Sequence, residues 1–128
     1  MKVSILGCGR WGAFHAWYAD HIGHEAMLWG RPESKHLAAL KEQRKNAYLT
    51  LPPSVALTED LAKAVDWADV CVISISSQEL RSFGRQLAAL PLAGKIFLLC
   101  MKGLEIGTGK RLSAVMREEV DETPRIAI

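Results

Sequence analysis

The segment KVSILGCGRWG, residues 2–12, admits few folds, because it joins a short apolar run to three glycines spaced as GxGxxG. In a strand–turn–helix unit, Gly7 permits the tight turn, Gly9 lets a diphosphate approach the backbone, and Gly12 lets the helix pack closely on the strand. Amides at the start of that helix then face the phosphates. A purely structural turn is the alternative. The context favours a dinucleotide-binding βαβ unit.

The rest of the chain repeats this alternation, and residues 1–128 are expected to form one domain. Apolar runs of strand length separated by amphipathic segments predict a Rossmann-type α/β fold, a doubly wound, mostly parallel sheet with helices on both faces. The expected strands are 2–6, 25–29, 69–75, 95–101 and 125–128, with at most a short strand at 55–57. The expected helices run from the glycine loop to Gly23, from Glu33 to Lys45, over 59–68 after an N-cap at Thr58, from a cap at Ser76 or Ser77 to Leu90, and over 109–119.

Composition excludes several classes of function. A net charge of +2 without a dense basic block argues against nucleic-acid binding. No apolar run approaches the roughly 18 residues of a membrane span, so no membrane insertion is expected. The chain enters its first strand without a signal peptide, and its cysteines lie in or beside apolar runs without metal-ligand spacing. These features predict reduced thiols, a cytoplasmic location and no metal site. The acidic residues Glu118, Glu119, Asp121 and Glu122 are interpreted as a solvated helix end.

Two residues inside the glycine motif are candidate cofactor contacts. Arg10 and Trp11 follow Gly9, where their amides or side chains can reach a pyrophosphate, and Arg10 can add a charge-assisted hydrogen bond. Solvent exposure is the alternative for Arg10. For the Trp11 side chain, cofactor contact and packing in the core on the first helix, which carries Phe14 and Tyr18 on the same face, are both open.

The second strand ends in LWGRP, where a fold of this kind usually places an acid that accepts hydrogen bonds from the ribose hydroxyls of NAD. Arg31 instead attracts the additional phosphate of NADP as a planar and permanently charged donor. The predicted cofactor is therefore NADP or NAD, with NADP favoured. An ordinary exposed arginine before Pro32 is the alternative.

Lys102 follows the fifth strand, in the stretch MKGLEIGTGK at 101–110. Ligands of open α/β sheets bind outside the carboxyl ends of the strands, so a lysine at this position points toward the site. Its ammonium can neutralise a phosphate or stabilise charge on a carbonyl oxygen that accepts hydride. A surface lysine in a glycine-rich turn is the alternative.

Several segments resemble the amino-terminal domain of bacterial NAD(P)-dependent glycerol-3-phosphate dehydrogenase. The resemblance covers essentially the whole chain, and its most specific part is KGLEIGTGKRLSAV at 102–115. It implies that Lys102 contacts both cofactor and substrate. It also implies that the cofactor is bound by the glycine loop and several side chains: Gly7, Gly9, Arg10, Trp11, Gly12, Arg31, Tyr48 and Lys102. The further segments that carry it are GCGRWG at 7–12, LWGR at 28–31, AYL at 47–49 and ADVCVISISSQELR at 68–81.

The resemblance further implies hydride transfer between NAD(P)H and dihydroxyacetone phosphate, giving glycerol 3-phosphate for phospholipid synthesis. In that family a separate helical domain completes the substrate site and carries the main catalytic lysine. Because residues 1–128 do not include such a domain, they are expected to show no turnover by themselves. Arg10 stands where the family usually has serine, Ser76 where it usually has proline, and the loop at 50–53 is shorter. A ketopantoate-reductase-like or 6-phosphogluconate-dehydrogenase-like domain and a non-catalytic dinucleotide-sensing module are the alternatives, and homodimerisation is left open.

Overall fold

Six parallel strands form one sheet in the computed structural model, which describes residues 1–121 and 124–128. The strands are β1 (Lys2–Leu6), β2 (Glu25–Trp29), β3 (Ala56–Thr58), β4 (Val70–Ile73), β5 (Ile96–Leu99) and β6 (Arg125–Ala127). The helices are α1 (Arg10–His21), α2 (Lys35–Gln43), α3 (Leu61–Trp67), α4 (Leu80–Ala88) and α5 (Leu112–Val120), and a 3-10 turn (Ser77–Glu79) precedes α4.

The strand order is β3-β2-β1-β4-β5-β6, which confirms the predicted Rossmann-type α/β class. Strand β1 lies at the centre, and its Val3 pairs with Ala26 of β2 on one side and with Val70 of β4 on the other. Strands β2 and β3 are therefore added on one side of β1, and β4, β5 and β6 on the other, so the strand order reverses between β1 and β4. Such a reversal opens a crevice at the carboxyl ends of the strands, where ligands bind in this fold.

Helices cover both faces of the sheet and divide the apolar core in two. Helices α1 and α2 pack on one face with Ile5 and Leu28, which are fully buried. Helices α3, α4 and α5 pack on the other face around Phe97 and Leu6, which are also fully buried. Burial on both faces explains why the central strands are nearly continuous apolar runs.

Helix α1 packs on the sheet through small residues, and its aromatic face points outward. The buried residues are Gly12, Ala13, Ala16 and Ala19, while the Trp11 side chain is 61% exposed. The interpretation of Trp11 as a core residue is therefore wrong, because the close approach of the helix to the sheet leaves room only for small side chains. The other aromatic and apolar residues of that outward face are Phe14, Tyr18 and Ile22.

Local hydrogen bonds set several helix starts differently from the sequence prediction. Asp60 caps α3, since its carboxylate accepts from the Lys63 amide at 3.0 Å, so the predicted N-cap at Thr58 is wrong. Thr58 instead ends β3, and its hydroxyl accepts from the Asp60 amide at 3.1 Å. Helix α2 begins after Ser34, whose hydroxyl accepts from the Leu37 amide. The side chain that accepts from an amide of the first helical turn decides each of these boundaries.

The irregular stretch after α2 is organised by Arg44. This residue ends the helix in the left-handed region, with φ of 57°, and its guanidinium donates to the carbonyls of Pro52 and Val55. The turn between Arg44 and Pro52 contains Tyr48, whose amide donates to the Asn46 side chain at 2.8 Å. A segment predicted as loop is thus fixed at both ends before it enters the short strand β3.

Within the described ranges, Cys8 and Cys71 are buried and Cys100 is partly buried, and none forms a disulfide. Burial raises the pKa of the Cys71 thiol to about 12, which leaves it protonated and unreactive at neutral pH. None of the helices in these ranges combines the length and apolar character required to cross a bilayer.

Candidate cofactor-binding site

A cleft of about 920 Å³ lies at the carboxyl ends of the central strands. Its walls come from the carboxyl ends of four strands and the segments that follow them: residues 7–11 after β1, 29–31 at the end of β2, 74–77 after β4 and 100–102 after β5. The volume falls within the usual range for a small-molecule or cofactor site. The cleft therefore occupies the position that the strand order predicts.

The three glycines of the motif meet different surroundings. A Cβ atom on Gly12 would lie 1.7 Å from the Gly7 carbonyl oxygen, and one on Gly7 would lie 2.2 Å from the Ser74 carbonyl oxygen. Gly7 also has a φ of +124°, which side chains rarely adopt. A Cβ on Gly9 would meet no atom of residues 1–121 and 124–128 within 4 Å. Gly7 and Gly12 are thus required by the fold, whereas Gly9 leaves open space inside the cleft.

The amino terminus of α1 is free of the groups that usually satisfy it. Among the residues that the structure describes, no side chain caps the helix at Gly9, and no acidic residue lies in the first turn. The first helical hydrogen bond runs from the Ala13 amide to the Gly9 carbonyl at 2.9 Å, so the amides of Arg10, Trp11 and Gly12 have no helical acceptor. These donors and the positive end of the helix dipole face the open space beside Gly9.

Arg10 is exposed and stacks on Tyr48, with its guanidinium carbon 4.2 Å from the ring centroid. This contact joins the start of α1 to the turn that follows α2. Tyr48 itself is 63% exposed and does not line the cleft. Because Arg10 itself lines the cleft, it links Tyr48, the other predicted contact, to the cleft wall.

Arg31 lines the cleft and forms an ion pair with Glu79, at 2.8 Å between Nη2 and Oε1. The hydrogen bond and the charge of Glu79 raise the pKa of Arg31. An acid would not fit at the neighbouring Gly30, since a Cβ there would lie 2.4 Å from the Cys8 sulfur. The nearest carboxylate to Arg31 is thus delivered from the segment after β4, across the cleft.

Lys102 is exposed at the mouth of the cleft, and its ammonium has no ion-pair partner in the ranges 1–121 and 124–128. The loop that follows it is held by Gln78, whose amide nitrogen donates to the Leu104 carbonyl at 3.0 Å and whose amide oxygen accepts from the Ile106 amide at 2.9 Å. An anchored loop keeps Lys102 near the cleft even though its own side chain is unpaired.

Arg81 provides a second anchor for the same loop and corrects one sequence interpretation. Its guanidinium donates to both carboxylate oxygens of Glu105, each at 2.8 Å, and pairs with Glu118 and Glu119 of α5. The Glu119 side chain is only 14% exposed, so the interpretation of a solvated helix end is wrong for Glu119, whereas Glu118 is exposed even though it is paired. Of the remaining acids in that run, Asp121 is exposed and Glu122 lies outside the described residues.

We expect this network to make stability sensitive to acid. Arg81 and Thr108 hold the pKa of Glu105 at about 2, below its ordinary value near 4.5. Because the folded pKa is depressed, the stabilisation is complete above about pH 4.5 and is lost as the pH falls toward 2. The melting temperature of wild type should therefore fall more steeply between pH 5 and pH 2 than that of Glu105→Gln. Parallel curves of melting temperature against pH for the two proteins would contradict the network. The control for net charge is Glu42→Gln, at an exposed site.

The structure brings six of the eight sequence-predicted residues to the cleft wall: Gly7, Gly9, Arg10, Trp11, Arg31 and Lys102. Gly12 lies behind the wall as a packing residue, and Tyr48 lies beside it. Sequence reasoning missed Glu79 and His15, which also line the cleft. Burial lowers the pKa of His15. The position of Glu79 in the segment after β4, beside the reversal of strand order, was the signal available.

A model of the family described as "NAD-dependent glycerol-3-phosphate dehydrogenase N-terminus" matches residues 2–128. The glycerol-3-phosphate dehydrogenase [NAD(P)+] of Pelodictyon phaeoclathratiforme is 39% identical over 123 residues, which cover 92% of this chain and 36% of the relative. The corresponding protein of Chlorobium chlorochromatii is 34% identical over 132 residues, covering 100% of this chain and 38% of the relative. The chain thus spans little more than a third of these relatives.

Solved structures support the fold independently. The glycerol-3-phosphate dehydrogenase of Coxiella burnetii matches with a TM-score of 0.85 at 22% identity, over 98% of this chain and 39% of that one. The yeast glycerol-3-phosphate dehydrogenase matches with a TM-score of 0.81, also at 22% identity, over 98% of this chain and 41% of that one. At this level of identity the likeness is one of fold.

Proposed function

The chain belongs to the NAD-dependent glycerol-3-phosphate dehydrogenase family, and we propose that it is the part that binds NADP or NAD in the cleft. In the whole protein, the reaction is hydride transfer between the dinucleotide and dihydroxyacetone phosphate, with glycerol 3-phosphate as the reduced product. The observation that carries this proposal is the uncapped start of α1 beside the open space at Gly9. Unpaired amides, a helix dipole and free volume together suit a pyrophosphate.

The remaining side chains of the cleft fit the same ligand. Arg31 offers a cation for the adenosine phosphate of NADP, and Arg10 offers a second cation near the pyrophosphate, stacked on Tyr48. In this proposal the cleft offers a hydrogen-bond donor to each phosphate group of the coenzyme. The roles of these residues stay predictions until binding is measured.

Lys102 is the residue that we expect to act on the substrate. The bound coenzyme supplies a hydride to the carbonyl carbon of the ketone. The unpaired Lys102 ammonium would stabilise the negative charge that develops on the carbonyl oxygen, or hold the substrate phosphate. Gln78 and Arg81 would keep it in position through the loop that follows it.

Residues outside this segment would complete the substrate site, because the matched segment is 36% of the Pelodictyon relative. We propose that a second, helical domain supplies them. The free thiols favour a reducing compartment such as the cytoplasm. Association of two copies stays a prediction that sedimentation would check.

Two measurements test the proposal. Calorimetry of the 128-residue chain with NADPH and with NADH should give saturable binding at one site. A longer product of the same gene, if it carries the helical domain, should oxidise NADPH when dihydroxyacetone phosphate is added. Coenzyme binding without turnover by that longer protein would favour a dinucleotide sensor. Absence of binding by well-folded chain would contradict the proposal.

The cofactor preference is tested at Arg31. Arg31→Asp should weaken NADPH binding about 10- to 100-fold, because a charge-assisted hydrogen bond to the phosphate is lost and a repulsive charge replaces it. NADH binding should change by less than about threefold, since NADH lacks that phosphate. Titrations with both coenzymes measure the two effects. Equal losses for NADPH and NADH would show that Arg31 does not contact the phosphate.

A further inference from the structure

Glu79 is the one acid that lines the cleft among the described residues, and it comes from the 3-10 turn after β4. It is 48 positions from Arg31 in sequence, yet its carboxylate oxygen lies 2.8 Å from the guanidinium. The contact therefore joins the wall after β2 to the wall after β4. No sequence pattern indicates it, because the two residues meet only through the strand order.

This contact changes what Arg31 offers to a ligand. A 2′-phosphate that approaches Arg31 must compete with a carboxylate already bound to it, and it must accept a second negative charge close by. A ribose without that phosphate meets the opposite situation. Its hydroxyl groups can donate to the Glu79 carboxylate, which is the hydrogen bond that an acid at the end of β2 usually accepts in NAD-binding folds.

We propose that Glu79 determines coenzyme preference, by supplying from the segment after β4 the carboxylate that the end of β2 lacks. This inference rests on the proposed dinucleotide binding. Arg31 favours NADPH, Glu79 favours NADH, and their ion pair balances the two, so that the cleft accepts both coenzymes. A Cβ at Gly30 would lie 2.4 Å from the Cys8 sulfur, so the position before Arg31 has no room for an acid.

The exposure of the pair is consistent with a contact that a ligand can rearrange. The side chains of Arg31 and Glu79 are 57% and 46% exposed, so their mutual attraction is weakened by solvent. A phosphate dianion can therefore displace the carboxylate, at a cost in affinity that is modest but measurable.

The test measures dissociation constants of NADPH and NADH for wild type and Glu79→Gln in the same buffer. Glu79→Gln keeps the size of the side chain and removes its charge. NADPH should bind about 3- to 10-fold more tightly, and NADH about 2- to 5-fold more weakly. Glu79→Asp keeps the charge on a shorter side chain and should restore a preference closer to wild type. The matched control is Glu59→Gln, which breaks the similarly exposed Lys41–Glu59 ion pair outside the cleft and should leave both constants within about twofold.

The outcomes separate this inference from the proposed function. Suppose that the chain binds either coenzyme tightly, and that Glu79→Gln leaves the ratio of the NADPH and NADH dissociation constants within twofold of wild type. That result would overturn the role of Glu79 alone. A ratio that Glu59→Gln shifts equally would also overturn it, because the effect would then reflect net charge. Failure of folded wild type to bind either coenzyme would overturn both proposals.

Discussion

Gly9→Asp should abolish binding of NADPH and NADH while leaving the fold intact. Its Cβ would enter open space, and the φ of −70° at Gly9 is accessible to any residue. The carboxylate would occupy the space in front of the α1 amides and would repel both phosphates of the coenzyme. We expect at least about a 100-fold loss of affinity for both coenzymes.

The same substitution should not destabilise the protein. Gly9 is the N-cap of α1 and has no side chain to accept from the first amides, whereas aspartate is among the preferred residues at that position. The melting temperature should therefore stay the same or rise. Calorimetric titration measures the binding, and thermal unfolding followed by circular dichroism measures the stability. Affinity within tenfold of wild type in a folded variant would mean that the coenzyme does not bind at these amides.

Gly12→Ala, unlike Gly9→Asp, should cause a large loss of stability. The added Cβ would lie 1.7 Å from the Gly7 carbonyl oxygen, so the start of α1 and the glycine loop must separate by more than an ångström. Overpacking against backbone costs about 3 kcal/mol at the upper end of its usual range. That is a large part of the roughly 5–15 kcal/mol by which a domain is stable.

Gly9→Ala is the matched control for Gly12→Ala, because it adds the same methyl group three residues earlier in open space. Its free energy of unfolding should lie within about 1 kcal/mol of wild type, the difference coming from alanine being a poorer N-cap than glycine. Urea denaturation of the three proteins provides the comparison. Similar stability of Gly12→Ala and Gly9→Ala would show that α1 does not pack on the glycine loop as described.

The sequence was sufficient for the features that depend on local pattern. Apolar runs such as KVSIL and EAMLW located β1 and β2, because central parallel strands are buried on both faces. The glycine motif located the start of α1. The alternation of the two kinds of segment gave the fold class, and the general rule for open sheets gave the position of the cleft.

Features that depend on contacts between distant segments were not predictable in this way. Periodicity placed Trp11 on a helix face but did not show that small residues form the packed face of α1. Glu119 has the appearance of a solvated helix end until α4 brings Arg81 against it. Glu79 reaches Arg31 only because β2 and β4 both lie next to β1 in the sheet, so that the segments after them face each other. Each of these requires the strand order and the packing of helices, which no single segment contains.

Binding of a pyrophosphate by the amides at the start of α1 is the central claim, and NMR titration of the ¹⁵N-labelled chain with NADPH tests it directly. We predict that the amide signals of Gly9, Arg10, Trp11 and Gly12 shift progressively and saturate together, with that of Arg31 following the same curve. If these signals stay in place while the protein is folded, or if only signals remote from the cleft move, the assignment of this cleft to a dinucleotide is contradicted.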